Sequence, residues 1–362
     1  MQEKLIALTI TGLLAVPAFA QSSVTLYGSL DYGFTNLGHH VTDGIKSRSG
    51  IDSSISKSNR LGFKGTEDLG DGLKAVFVLE NGLNGDIQGS SGIWSSSARQ
   101  SYAGLAGSFG TVAFGRQYAP QHTFIGAVDP FGNSGLGAAG NAMIQQRRLN
   151  NLAAYISPNW SGFNFIAAYT LAGTAQENAG NDGDVRVWAL APSFTMDDLF
   201  VAANYQNAKI HNASIADQTV INAWDLFASY DFGFVKLGTS FGKRTTKNTT
   251  PNPKFTQWML GATFKLTPTD KILTSYARGQ ENDTGAGKPR INQWAIGYEH
   301  ALSKRTALYA QFATQSWNDA AKAGFKSFMG DDGVGGVGFT QLNGGGADDY
   351  RRGITAGFRH DF

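Results

Sequence analysis

The chain carries few residues that could make or break a bond. It has no cysteine, so it holds neither a disulfide nor a thiolate metal site. A P-loop and a His-Glu-x-x-His pair are absent from its 362 residues. His39 and His40 are adjacent, and adjacent side chains of an extended segment point apart, while His122 and His211 stand alone. No enzyme, no metal site and no cofactor are therefore expected. What remains able to act on a solute is charge set on alternate positions. Arg60 shares a side with Gly62, Lys64 and Thr66, opposite Leu61 and Phe63; Arg148 shares one with Asn150, opposite Leu149. Between residues 119 and 147 Asp129 is the only acid, followed by a bend at Pro130-Phe131-Gly132 and many Gly and Ala.

The segments that must position these charges alternate with a period of two. In the last one, Ile354, Ala356, Phe358, His360 and Phe362 face one way and Arg351, Gly353, Thr355, Gly357 and Arg359 the other. A strand with one apolar and one cationic face cannot close a soluble core, but it suits a wall between lipid and water. Trp258, Leu260, Ala262, Phe264 and Leu266 likewise oppose Gln257, Met259, Gly261, Thr263 and Lys265. Trp224, Leu226, Ala228, Tyr230 and Phe232 oppose Asp225, Phe227, Ser229 and Asp231. Aromatics sit at or near the ends of the apolar rows, as the girdles of an outer-membrane barrel require. From Trp258 to Leu266 the strand is about 26 Å long and roughly 20 Å high once tilted, which nearly fills an apolar band of about 25 Å.

Composition agrees with a barrel. Only 16% of residues are charged, Gly is very high at 46, and aromatics reach 12%. Outside the N-terminus no apolar run is long enough for a membrane helix, and Gly at this level is too much for a helical domain. The formal net charge of +2 gives no case for nucleic acid. Residues 1–20 read as a secretory signal: an apolar stretch from Leu5 to Pro17 and a small-x-small site at Ala18-Phe19-Ala20. Glu3 beside Lys4 departs from the usual basic start, and a buried first helix is the alternative. Residues 21–362 then form one domain.

Short connections are expected near Asp68–Asp71, Gly107–Gly110, Pro158–Gly162, Asp197–Asp198, Asp231–Gly233, Thr267–Asp270 and Ser303–Lys304. Long ones are expected near 36–58, 82–97, 119–147, 171–183, 207–220, 245–254, 280–290 and 317–348. These seven short and eight long connections predict an all-β, 16-stranded antiparallel transmembrane barrel with short periplasmic turns. An open edge is not allowed in lipid, so the first strand must pair with the last.

The segment Val24-Thr-Leu-Tyr-Gly-Ser-Leu-Asp-Tyr-Gly-Phe34 resembles the opening strand of the trimeric general porins of Gram-negative bacteria. So do Ser58-Asn-Arg-Leu-Gly-Phe-Lys-Gly-Thr-Glu-Asp-Leu69 and its continuation Gly72-Leu-Lys-Ala-Val-Phe77. The ending Gly357-Phe-Arg-His-Asp-Phe362 is similar to the family's C-terminal assembly signal, with Phe358 and Phe362 as its apolar residues. The branch it most resembles is typical of β-proteobacteria. The resemblance implies an outer-membrane homotrimer that passes small hydrophilic solutes without a cofactor, embedded among lipid and lipopolysaccharide. It also implies delivery by periplasmic chaperones and insertion by the barrel-assembly machinery.

By the same resemblance the third long loop, about 119–147, folds into the lumen opposite a wall of arginines. Matched motif by motif, that wall comprises Arg60, Arg116 of Phe114-Gly-Arg-Gln-Tyr118, and Arg148 of Arg148-Leu-Asn-Asn-Leu-Ala-Ala-Tyr155. Strict alternation puts Arg116 with Val112 and Phe114 on the lipid side; a bulge at Gly115 would turn it inward, and Arg in lipid costs about 2–4 kcal/mol. Lys64, Arg99 and Arg147 are further candidates, though Arg99 and Arg147 read equally well as rim charges. Cations facing the one carboxylate of Asp129 would concentrate small anions and orient polar solutes, giving a weak to moderate anion preference. Asp225 and Glu299 would reduce it. The alternatives are a substrate-specific channel, and a barrel whose loops 171–183 and 317–348 serve as an adhesin or receptor surface. A soluble sandwich is disfavoured, because Gly, Ser, Gln and Arg on the inner faces cannot fill a core.

Overall fold

The computed structural model describes residues 23–38, 47–86, 93–170, 185–210, 218–249, 252–282, 288–321 and 352–362. The expected export segment 1–20, His39, His40, His211, loop 171–183 and most of loop 317–348 lie outside the described residues. Seventeen strands form one sheet. They are β1 Ser23–Gly38, β2 Ser47–Ser53, β3 Arg60–Gly70, β4 Leu73–Leu83, β5 Trp94–Gly107 and β6 Gly110–Tyr118. After α1 Pro120–Val128 and a 3-10 turn at Ala139–Asn141 come β7 Arg148–Ile156, β8 Phe163–Thr170, β9 Val185–Met196 and β10 Leu199–Ile210. The remainder are β11 Thr219–Asp231, β12 Val235–Lys247, β13 Lys254–Lys265, β14 Asp270–Asn282, β15 Arg290–Ala301, β16 Thr306–Trp317 and β17 Arg352–Asp361.

Every neighbouring pair is antiparallel, and β1 meets β17 from Ser29↔Asp361 to Gly38↔Arg352, so the sheet closes. β2 and β3 pair with successive lengths of the same strand, β1. They share one place in the wall, and the barrel has sixteen strands. This is a difference from the expected loop over 36–58, much of which is strand. The chain leaves the wall between β2 and β3 because Ser54 takes a positive φ of 60° and Asp31 gathers the residues just beyond it. The Asp31 carboxylate accepts the amides of Ser56 at 3.0 Å and Lys57 at 2.7 Å, and the Ser56 hydroxyl at 2.7 Å. Polar residues dominate Ser47–Ser53, so no apolar row marks that strand in the sequence.

Inward and outward faces follow the alternation. Leu226, Leu237, Leu260, Ile296, Leu308 and Ile354 point out and are exposed, as a lipid-facing belt demands. Near the end that bears the long connections, rings stand side by side on consecutive strands. Trp188 and Tyr205 lie 5.2 Å apart, Trp224 and Phe241 5.6 Å, Trp258 and Tyr276 5.1 Å, and Tyr276 and Trp294 4.6 Å. Past Trp294 the row continues round β16, β17, β1 and β2 as Phe312, Ile354, Phe34 and Ile51, side chains without a polar tip.

The packed core lies inside the lumen, between the loop 119–147 and the wall of β9–β16. Phe124, Ile125 and Val128 of α1 bury against Ala191, Ala202, Phe227 and Met259. Phe131 and Leu136 pack with Leu273, Ala295, Tyr309 and Ala313. Close approach depends on missing side chains: a Cβ on Gly238 would lie 1.9 Å from the Val128 carbonyl oxygen, and one on Gly279 2.3 Å from that of Ala142. Wall amides hold the loop backbone, with Gln293 donating to Ala138 at 2.8 Å and Gln257 accepting from Ile144 at 2.9 Å.

At the seam, Phe362 and Gly28 exchange backbone bonds of 3.1 and 3.2 Å. A Cβ on Gly28 would stand 2.4 Å from the Phe362 ring and 2.6 Å from the Arg60 carbonyl. Gly28→Val is therefore expected to open the seam and lower the heat-modifiable folded fraction on a detergent gel, as is Phe362→Ser. Undiminished folded yield from both variants would show that closure does not depend on this contact.

Candidate functional site

Beside the loop, on the wall of β3–β7, a polar cavity of about 510 Å3 is lined by Lys57, Arg60, Arg99, Arg147 and Arg148, with Tyr118, His122, Thr123, Asn133 and Ser134 across it. Among the described residues no carboxylate lines it. Glu80 on β4 lies just behind, where it pairs with Arg99 Nε at 2.8 Å and stands 3.7 Å from Arg60 Nε. Tyr27 donates its hydroxyl to the other carboxylate oxygen at 3.1 Å. Arg99 reaches inward because β5 gains a residue there: Glu80 pairs with Gln100, then Asn81 with Ala98. Its guanidinium also donates to the Tyr118 hydroxyl at 2.7 Å.

Arg148 opens β7 and lays its guanidinium 5.2 Å from the centre of the Tyr118 ring, a cation–π distance. Lys57 pairs with Asp361 at 2.8 Å. Among the described residues Glu80 and Asp361 thus meet three of the five lining cations, Arg99, Arg60 and Lys57, and five cations against two carboxylates leave an excess of three positive charges. The Nε atoms of Arg147 and Arg148 are buried without a protein acceptor. Burial, then the nearby Arg148 and Arg99, lowers the pKa of Arg147 to about 10, which leaves it charged at neutral pH. Burial first, and then Arg147, lowers His122 to about 4, so its ring is neutral at pH 7.

Three expected site residues stand elsewhere. Asp129 does not face the arginines. It is buried inside the loop, where its carboxylate accepts the amides of Phe131 at 3.1 Å, Asn133 at 3.1 Å and Ala139 at 2.9 Å. Burial pushes its pKa up to about 6. Lys64 is exposed lower on the wall, with its ammonium 5.5 Å from the Tyr27 ring centre. Arg116 stays on the outward row. It stands opposite Ser101, which in turn stands opposite the outward Leu79, and it bonds the Ala98 carbonyl at 2.7 Å and the Asn150 side chain. A bulge does form, with Gly115 at φ 131°, but the extra residue is in β7, where Asn150 and Asn151 oppose Arg116 alone. That arrangement leaves Arg116 on its side.

Sequence reasoning missed Glu80, Lys57, Tyr118 and Asp361. Glu80 alternates with Leu79 and Phe77, so its inward side was readable. Lys57 lies in a polar stretch whose sequence reads as an exposed loop. Chemically the site can attract and orient an anion.

A sixteen-stranded barrel with a loop folded into its lumen defines a membrane diffusion channel. The Gram-negative porin family model matches residues 6–320, and the chain belongs to that family. It is 33% identical over its full length to outer membrane porin protein 32 of Delftia acidovorans, all of which is covered. An outer membrane porin of Bordetella pertussis is 29% identical over 86% of this chain and 93% of its own length. Among solved structures, an anion-selective porin from Comamonas acidovorans superposes with a TM-score of 0.75 at 28% identity, covering 94% of this chain and 100% of that one. The protein is an outer-membrane porin, a diffusion channel for small hydrophilic solutes.

Glu80→Gln removes a negative charge beside the cavity, so the reversal potential under a salt gradient should move toward anions. Asp129→Ala should leave that potential nearly unchanged but free three backbone amides, and thus raise conductance noise from a loosened loop. An equal shift from both variants would show that the Asp129 charge reaches the lumen. The raised pKa also sets a direction with pH. The cost of keeping Asp129 ionised is present above about 6 and is relieved as pH falls toward the ordinary value of 3.8. Acidification from neutral pH to about 5 should therefore not, through this group, lower the thermal midpoint of the barrel.

Proposed function

We propose that the channel prefers anions, weakly to moderately, and that Arg60, Arg99, Arg147 and Arg148 set that preference. The observation that carries this reading is the cavity lined by five cations and, among the described residues, by no carboxylate. A fixed positive field in a narrow, partly desolvated passage raises the local concentration of anions and lowers that of cations. The guanidinium groups of Arg147 and Arg148 line the same cavity and add donors for a passing oxyanion. The relative from Comamonas acidovorans described as anion-selective is consistent with it. Residues 1–20 would direct export, and Phe358 and Phe362 would present the last strand to the assembly machinery.

The working form is a homotrimer whose contact lies on β16, β17 and β1–β7. On β16, β17, β1 and β2 the row carries Phe312, Ile354, Phe34 and Ile51 in place of Trp and Tyr, and on β6 the outward Arg116 is found. A guanidinium facing lipid near mid-depth would cost about 2–4 kcal/mol, a cost that a neighbouring subunit's polar groups would remove.

Conductance steps in threes, with an anion-signed reversal potential in a salt gradient, are the expected result in a planar bilayer. Arg60→Ser with Arg148→Ser should move that potential toward zero and raise conductance. A cation-signed potential in the unaltered protein would overturn the preference while leaving the channel.

A further inference from the structure

Asp31 stands at a break in the pairing of β1. On that flank β2 ends at Tyr32↔Ser53 and β3 begins at Ser29↔Arg60, so Leu30 and Asp31 meet neither strand. Six residues, 54–59, stand opposite these two, and the surplus turns into the lumen. Asp31 bonds this link with every polar part it has. Its carbonyl accepts the Ser54 amide at 2.9 Å, and its own amide donates to the Asn59 side chain at 2.6 Å, which ties down both ends. One carboxylate oxygen takes the middle of the link, through the Ser56 amide and hydroxyl and the Lys57 amide. The other accepts the Tyr309 hydroxyl of β16.

These bonds fix the direction of one side chain. With its amide held on Asp31, Lys57 reaches the cavity, which it lines beside Ser58, and pairs there with Asp361 of β17. The two side chains are 31% and 34% exposed, so both charges face the water of the lumen. Asp31 itself is fully buried, and its charge is turned to its hydrogen bonds. On the other side of the link Ile55 is buried among Leu37, Phe131 and Leu136, and a Cβ on Gly135 would lie 2.1 Å from the Ile55 carbonyl oxygen. The loop 119–147 thus backs the link, while Asp31 turns its lysine to the passage.

We propose that Asp31 is a positioning residue for the sorting of ions: it holds Lys57 in the passage, and Lys57, by covering Asp361, sorts ions together with the arginines. A buried carboxylate thereby strengthens the positive field of a passage that it does not line. Were Lys57 to swing away, Asp361 would face the lumen as an uncompensated anion, and the local field would weaken twice over. A role for Asp31 in stability alone would loosen the barrel without making its effect depend on Lys57. The inference rests on the cavity being the path of the ions, which Arg60→Ser with Arg148→Ser tests separately.

The test is a mutant cycle on the reversal potential in a planar bilayer under a salt gradient. Lys57→Met should move the potential toward cations. Asp31→Ala and Asp31→Asn remove the same charge, but only the amide keeps an acceptor for the link, with its NH2 turned to the Tyr309 oxygen. Asp31→Ala should therefore move the potential toward cations and Asp31→Asn should not. With Lys57→Met already present, the two Asp31 variants should give the same potential. The chain has no cysteine, so Lys57→Cys offers a single thiol, and a cationic methanethiosulfonate should restore the potential that this change shifts. Should Asp31→Ala fold poorly, Ser56→Ala removes one bond and no charge, and should give a smaller shift of the same sign that Lys57→Met abolishes. Equal potentials for Asp31→Ala and Asp31→Asn, or a difference that survives Lys57→Met, would overturn the positioning role. A potential unmoved by Lys57→Met but moved by Arg60→Ser with Arg148→Ser would overturn the proposal and leave the anion preference standing; if neither moved it, both would fall.

Discussion

A backbone in hydrocarbon has no water to bond to, and everything in this molecule depends on that. Each strand must find partners on both sides, so the sheet has to close, and it does so where β1 meets β17. Closure fixes two surfaces with opposite needs on one alternating chain. The outward residues answer to lipid and the inward ones to water, and a polar lumen cannot pack itself shut. Phe362 illustrates how local the requirement is: one residue completes the last bonds to Gly28 and lays its ring against that glycine.

Because the wall encloses water, narrowing has to come from elsewhere in the chain. The loop 119–147 supplies it, and it behaves like a small core inside a container. Apolar side chains of α1 and of Phe131 bury against the wall, glycines on successive strands admit the loop backbone, and neutral amides such as Gln257 and Gln293 hold its carbonyls and amides. Its one acid is spent on its own turn. Asp225, a carboxylate of the facing wall, is occupied likewise, accepting from Gln121 at 2.9 Å and Gln257 at 3.0 Å. Both charges are consumed in building the narrowing, which leaves the field at the passage to the opposite side.

The barrel was largely legible in the sequence, because a period of two survives in any strand that separates lipid from water. The seven short turns fall where Asp, Gly and Pro clusters placed them, and the even strand count followed. The charges in the passage were less legible, for one recurring reason: parity is lost wherever pairing slips. Arg99 turns inward at an irregularity that its own sequence does not announce, whereas the bulge expected to turn Arg116 arose in β7 and left it outside. Lys57 sits between two strands whose sequence reads as one loop. Asp129 looked like a lumen charge because the three amides that enclose it come together only when the loop folds.

The loop also decides where solutes travel. It packs against β9–β16, so the open passage lies beside β3–β7 rather than across the full width of the barrel. A space of 510 Å3 is about 10 Å across, so no point in it lies much more than about 5 Å from a wall, whereas mobile salt screens over about 8 Å at physiological strength. Dissolved ions cannot form a complete atmosphere between a guanidinium and a solute in so narrow a gap. At physiological strength the charge of the wall is thus screened less in the passage than the same residues would be on an open surface.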